Sequence, residues 1–234
     1  MAGKSKRKGP VMRSEIPVPT HMRRDQVLYG DLFYWRFEPF ILFVAKPLNL
    51  LLCRHIPTSL QNSDALAKEI GAVRSMLESR EFVCVKILTD PDKKLAVLKD
   101  KVPLLDVSGS GSHLGDIEVE IRVVKERLRC MEASLSVPVP KRLVVWLVLA
   151  AVVARNLVLR PDMTVSSRES FTGVKTDIKR DVRGKFFDYL QAQRDPSDSE
   201  LSGPTPRTVS ALFLMSTGNA EGTVFAYDLT TEST

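Results

Sequence analysis

Residues 26–46 read QVLYGDLFYWRFEPFILFVAK, and the fold hangs on how this stretch is understood. Aromatic and aliphatic side chains crowd both halves, and only Arg36, Phe37 and Glu38 separate them. Such runs fit the half-buried pleat of a sheet, and so short a connection makes them neighbours, so residues 26–35 and 39–46 are predicted to form a β-hairpin. Asp31 stands out because a carboxylate inside an aromatic strand is costly to desolvate unless something pairs with it. The competing reading is an outward-facing residue placed by strand alternation.

Beyond the hairpin, residues 48–56 give a third strand candidate. A helix capped near Asn62 and Ser63 follows, with Leu66, Ile70, Val73 and Leu77 at helical spacing. Residues 82–88 (FVCVKIL) form a short apolar run that ends in Thr89-Asp90-Pro91, the pattern of a strand delivering Asp90 at its C-terminal edge. Residues 103–107 supply one more short strand. The Gly-Ser stretch 108–112 is predicted to be a mobile loop. Beyond it Ile117, Ile121, Val124, Leu128, Met131 and Leu135 recur at steps of four and three, with Glu118, Arg122, Lys125 and Arg129 on the other side of the helix.

Pro138 and Pro140 separate this helix from a second one over 141–159. Its apolar run at 143–154 is too short to span a bilayer and belongs in a protein core. After Pro161 the texture changes to short strand candidates at 185–191, 209–215 and 223–229, with a turn at 216–222 and an exposed loop at 194–206. The expected class is α/β: a mixed sheet flanked by helices, followed by a small, mostly β C-terminal module. Residues 1–24 are expected to be a basic, disordered arm, 25–160 the core, and 161–234 a linker and the β-rich module.

With 234 residues and 44% apolar content the chain can bury a sizeable core. Lys4, Lys6, Arg7, Lys8, Arg13, Arg23 and Arg24 against Glu15 place the whole formal charge of +6 in the first 24 residues. Such an arm is a handle for a polyanion or, more plainly, a solubilising tail. Three cysteines without CxxC spacing argue against a disulfide framework or a zinc module. The N-terminus lacks a secretory signal, so an intracellular protein, nuclear or cytoplasmic and not secreted, is expected.

Asp31, Asp90 and Glu118 sit on three different elements that could converge if the first and fourth strands were neighbours. Clustered carboxylates repel unless neutralised, and hard divalent cations choose oxygen ligands. Two such ions about 3.5 to 4 Å apart can activate a water or hydroxyl and stabilise the leaving oxygen of a phosphodiester. Taken singly, Asp90 also reads as a turn residue and Glu118 as an acid favoured at a helix N-terminus. Arg122 and Lys125 would lie beneath Glu118, either to hold phosphates or as a solvated face with an ordinary Glu118–Arg122 pair.

In order along nearly the whole chain, LYGDLFYW with FILFVAKPL, KILTDPD, IEVEIRVVKERLR, SSRESFTGVKTDIKRD and LMSTGNAEGTV resemble the integrase region of copia-like LTR retrotransposon polyproteins. The resemblance implies a ribonuclease H-like core whose D,D,E triad binds Mg²⁺ or Mn²⁺ in a two-metal site and joins element ends to target DNA. By position the triad falls on Asp31, Asp90 and Glu118, both as catalytic groups and as metal ligands. Arg122 and Lys125 fall on helix positions that approach the DNA end, and Arg129 extends that face. The implied function is DNA integration by an endonuclease and polynucleotidyl transferase, active or degenerate. The implied partners are element and target DNA and a second copy of the chain, and no membrane. The 27 residues between Asp90 and Glu118 are fewer than the family pattern has. A non-catalytic nucleic-acid binding protein derived from an integrase, using the arm and the cationic helix face, is the alternative.

Overall fold

A computed structural model describes residues 24–57, 63–89, 98–106, 115–161, 163–193, 208–218 and 222–234. The opening hairpin is present: β1 (Asp25–Trp35) pairs antiparallel with β2 (Glu38–Lys46), Asp31 opposite Leu42. The turn uses Arg36 and Phe37, both at positive φ (47° and 67°). That is the conformation a two-residue hairpin demands, although neither residue favours it.

β3 (Leu50–His55) lies on the far side of β2, while β4 (Val83–Thr89) joins β1 in parallel and the two-residue β5 (Leu105–Asp106) follows β4. The resulting mixed sheet has the order β3-β2-β1-β4-β5. The run from Pro39 to Ala45 is buried throughout, because β2 is covered on both faces. One face carries Leu28, Ile41 and Phe43 under helix α1 (Ser63–Glu78), whose buried residues are the four of its apolar stripe. The other carries Phe33, Phe40, Leu42 and Val44 under α2 (Gly115–Ala133) and α3 (Val144–Leu157). Each large aliphatic side chain so buried contributes about 1.5–3 kcal/mol, so the two layers hold the sheet between them. This is the mixed sheet flanked by helices expected from the sequence.

Gly30 has a steric reason to be glycine. It stands opposite Phe43 in the register, and a Cβ there would collide with the Phe43 ring. Its lack of a side chain lets the Phe43 ring lie against β1 on the α1 face of the sheet, opposite to the face that carries Asp31.

The run 143–154 is helical and mostly internal, and a 3-10 turn at Lys141–Leu143 leads into it. Among the described residues, no helix is long and apolar enough to cross a membrane. Near its end Asn156 does the work of a strand: its Oδ1 accepts the Leu51 N–H at 2.9 Å and its Nδ2 donates to the Leu51 carbonyl at 2.8 Å. At Leu51 the outer edge of β3 is thereby satisfied by a helix side chain.

Two short helices follow, α4 (Ser167–Thr172) and α5 (Ile178–Asp181). A capping box of Ser166 and Glu169 starts α4, and Gly173 at φ 68° ends it. The C-terminal sheet is antiparallel, in the order β6 (Tyr189–Gln193), β7 (Thr208–Ser216), β8 (Val224–Asp228). The strand expected at 185–191 therefore begins four residues later. Phe186 is buried, and Phe187 takes a positive φ of 73°, so this apolar pair forms a turn that plugs the core. Phe186, Leu214 and Tyr227 join the cluster around α3, and Trp146 of α3 packs on Phe225 with ring centres 4.9 Å apart. The expected exposed loop at 194–206 and the Gly-Ser loop at 108–112 lie outside the described residues.

Candidate active site

Strand alternation sets the orientation of Asp31. Tyr29 and Phe33, two residues to either side, pack in the layer of α2 and α3, so Asp31 belongs to that side of the sheet. It is half-buried, and its Oδ1 accepts the Leu32 N–H at 2.7 Å. The condition for convergence with the fourth strand is met, since β1 and β4 are adjacent and parallel, with Gly30 paired to Thr89. Asp90 follows Thr89 in the chain and lies outside the described residues, as do Lys4, Lys6, Arg7 and Lys8 of the arm.

Glu118 is in the first turn of α2, the helix that covers the Asp31 side of the sheet. It sits one step off the buried stripe of Ile117 and Ile121 and is exposed. Its neighbour Asp116 pairs with Lys46 at the end of β2, and Lys46 also lies 5.8 Å from the centre of the Tyr29 ring. This contact pins the start of α2 to the hairpin. Among the described residues Glu118 and Arg122 enter no ion pair, so the ordinary helical pairing of those two is not formed. Asp31 and Glu118 offer oxygen donors only, the ligand class that Mg²⁺ and Mn²⁺ prefer, and in that respect the residues fit such an ion. Among the described residues no three His, Cys, Asp or Glu side chains are grouped closely enough to hold a metal.

Along the rest of α2, Arg122 and Arg129 are exposed, while Lys125 is half-buried with its Nζ 5.9 Å from the centre of the Phe33 ring. Lys125 thus spends part of its side chain covering the core. The far end of the helix is tied to the hairpin turn: Glu132 accepts from Trp35 Nε1 at 3.2 Å and pairs with Arg36 Nε at 2.8 Å. Both ends of α2 are therefore fixed to the β1–β2 ribbon that carries Asp31.

Reading the sequence missed two charged clusters. Glu120, 6% exposed, accepts from Arg155 Nε at 3.1 Å and from Arg160 Nη1 at 2.6 Å, and Arg160 also donates to the Asn49 carbonyl at 3.0 Å. A signal was present, since Glu120 falls within the apolar stripe, three residues after Ile117 and four before Val124. In the second cluster Arg168 makes two hydrogen bonds to Asp181, at 3.1 and 3.0 Å, and Arg180 donates to the same carboxylate at 2.8 Å. Burial alone would push the Asp181 carboxyl up. Hydrogen bonds from Arg180 and the Asp177 N–H, with the Arg168 charge, outweigh it and hold the group below its ordinary range.

No family model matches the chain, and none of the curated proteins matches it in sequence. Among solved structures the chain is similar to the catalytic core domain of BIV integrase, at 15% identity and a TM-score of 0.46, with 62% of this chain and 92% of that chain covered.

Proposed function

We propose that the chain is an integrase-type core of the copia-like retrotransposon kind, a metal-dependent polynucleotidyl transferase acting on DNA. The observation that supports this reading most is the parallel pairing of β1 with β4. It pairs Gly30, the residue before Asp31, with Thr89, the residue that precedes Asp90 in the sequence. Glu118, at the start of the helix over that side of the sheet, is the third carboxylate. Bound Mg²⁺ or Mn²⁺ would supply activation of the attacking hydroxyl or water and stabilisation of the leaving oxygen. The protein's part is to hold three carboxylates on a rigid ribbon and helix, and to hold the DNA backbone on Arg122, Lys125 and Arg129.

A second reading, nucleic-acid binding without chemistry, is favoured by the cationic stripe itself, since Arg122 and Arg129 have no ion-pair partner among the described residues. One experiment separates the two. Mn²⁺-dependent nicking and strand joining of a labelled duplex is measured at low salt for the wild type and for Asp90→Asn. The integrase reading expects activity in the wild type and its loss in the variant, which keeps shape but removes charge. Equal activity in both proteins overturns the triad assignment. Inactivity in both with DNA binding retained leaves the cationic stripe and basic arm as the functional surfaces.

A further inference from the structure

Between the C-terminal half of α2, α3 and the C-terminal sheet lies an open groove of about 610 Å³. Its floor and walls are largely apolar, with Met131, Val153, Leu157, Phe186 and Phe213 among them. The size falls within the range of roughly 300–1,000 Å³ usual for sites that take small organic ligands. The apolar surface continues over the rim, where Val158, Ile178 and Val182 are 42%, 73% and 54% exposed.

The charges in this groove are unbalanced. Its one carboxylate among the described residues, Asp181, is fully engaged by Arg168 and Arg180. Arg127 and Lys185 also line it, and neither has an ion-pair partner among the described residues. Burial, and then the neighbouring charge of Arg155, hold the Arg127 guanidinium below its ordinary value. A partly desolvated cation beside a second cation gains from any anion that reaches it. One wall residue, Ser216, has a buried hydroxyl without a hydrogen-bond partner, so a small side-chain rotation would offer it to a polar group.

We propose that this groove binds a small amphipathic anion, an aromatic or aliphatic body bearing one carboxylate, sulfonate or phosphate. The apolar body lies on Val153, Leu157, Phe186 and Phe213, and the anionic group on Arg127. A small molecule is the occupant that suits an apolar volume of this size with one cation at its side. The site is separate from the carboxylates of β1 and α2, and it stands whether or not the chain processes DNA.

The test uses the full chain and a matched pair of fluorescent probes, anilinonaphthalene sulfonate and its uncharged relative N-phenylnaphthylamine. Saturable binding of the sulfonate at one site is expected. Arg127→Met should weaken the sulfonate about tenfold and leave the neutral probe unchanged, because only a charge-assisted contact is removed. Ala154→Trp, which fills the groove, should abolish both. Unsaturable binding, no binding, or equal effects of Arg127→Met on the two probes would each overturn the proposal. If Ala154→Trp does not fold by circular dichroism, the Arg127→Met comparison decides alone.

Discussion

Replacing Glu120 with alanine should be among the most damaging single changes outside the apolar core. The carboxylate is 8% exposed as a side chain, and its partners Arg155 and Arg160 are 18% and 14% exposed, so water cannot readily take its place. Removing it leaves two cations facing each other in a poorly solvated space, joined by Arg127 close by. Breaking a buried pair by deleting one partner costs about 3–5 kcal/mol, mostly from the charge left behind. Domains of this size lose about 2–4 °C of Tm per kcal/mol, so a fall of about 10 °C is expected. Urea unfolding at pH 7 measures the effect directly, with the exposed Arg74–Glu78 pair as the comparison, where Arg74→Ala should cost under about 1 kcal/mol. Glu120→Ala combined with Arg155→Met should recover part of the loss, because the double change removes a stranded charge. A Glu120→Ala cost no greater than that of Arg74→Ala would show instead that the cluster is as well hydrated as an exposed pair.

Asn156→Leu keeps the side-chain volume but strands the Leu51 N–H and carbonyl, and should cost about 2–4 kcal/mol in denaturant unfolding. Phe37→Gly should raise stability by about 1 kcal/mol, because Phe37 is 95% exposed and held at positive φ in a turn that glycine adopts freely; a lower Tm in the variant would show that the ring matters. For Asp181 the sign follows from its depressed pKa. The stabilisation is present above the unfolded carboxyl value of about 3.9 and is lost as pH falls through the lower folded value. Unfolding measured from pH 6 to pH 2 should therefore show less acid sensitivity in Asp181→Asn than in the wild type.

Periodicity made the first two thirds of the fold legible. Residues 26–46 could form little other than a hairpin, and the stripes of Leu66 to Leu77 and Ile117 to Leu128 fixed which faces of α1 and α2 turn inward. The C-terminal third was harder because its elements are short. α4 and α5 run six and four residues, too few for a helical stripe, and only the Ser166–Glu169 capping box betrays the first of them. Phe186 and Phe187 imitate a strand, since a buried turn and a buried strand look alike when only hydrophobicity is read. Of the candidate site, the sequence could place Asp31 within a strand and Glu118 in a first helical turn. It could not reveal that Asp116, rather than Glu118, takes a local cation, or that Glu120 gathers two arginines from 35 and 40 residues away. Contacts of that separation leave no local trace.

The amide of Asn156 has a bearing on how copies of the chain could assemble. A sheet's last strand is ordinarily an invitation, since its outward backbone groups will accept a strand from any neighbour. At Leu51 that invitation is already answered from within, and Ser167 Oγ, which donates to the Asn49 carbonyl at 2.8 Å, answers again two residues away. A second molecule extending the sheet through β3 would first have to displace Asn156 of α3 from Leu51. Self-association through this edge would therefore have to compete with Asn156, which makes that route adjustable by a single substitution at a helix position.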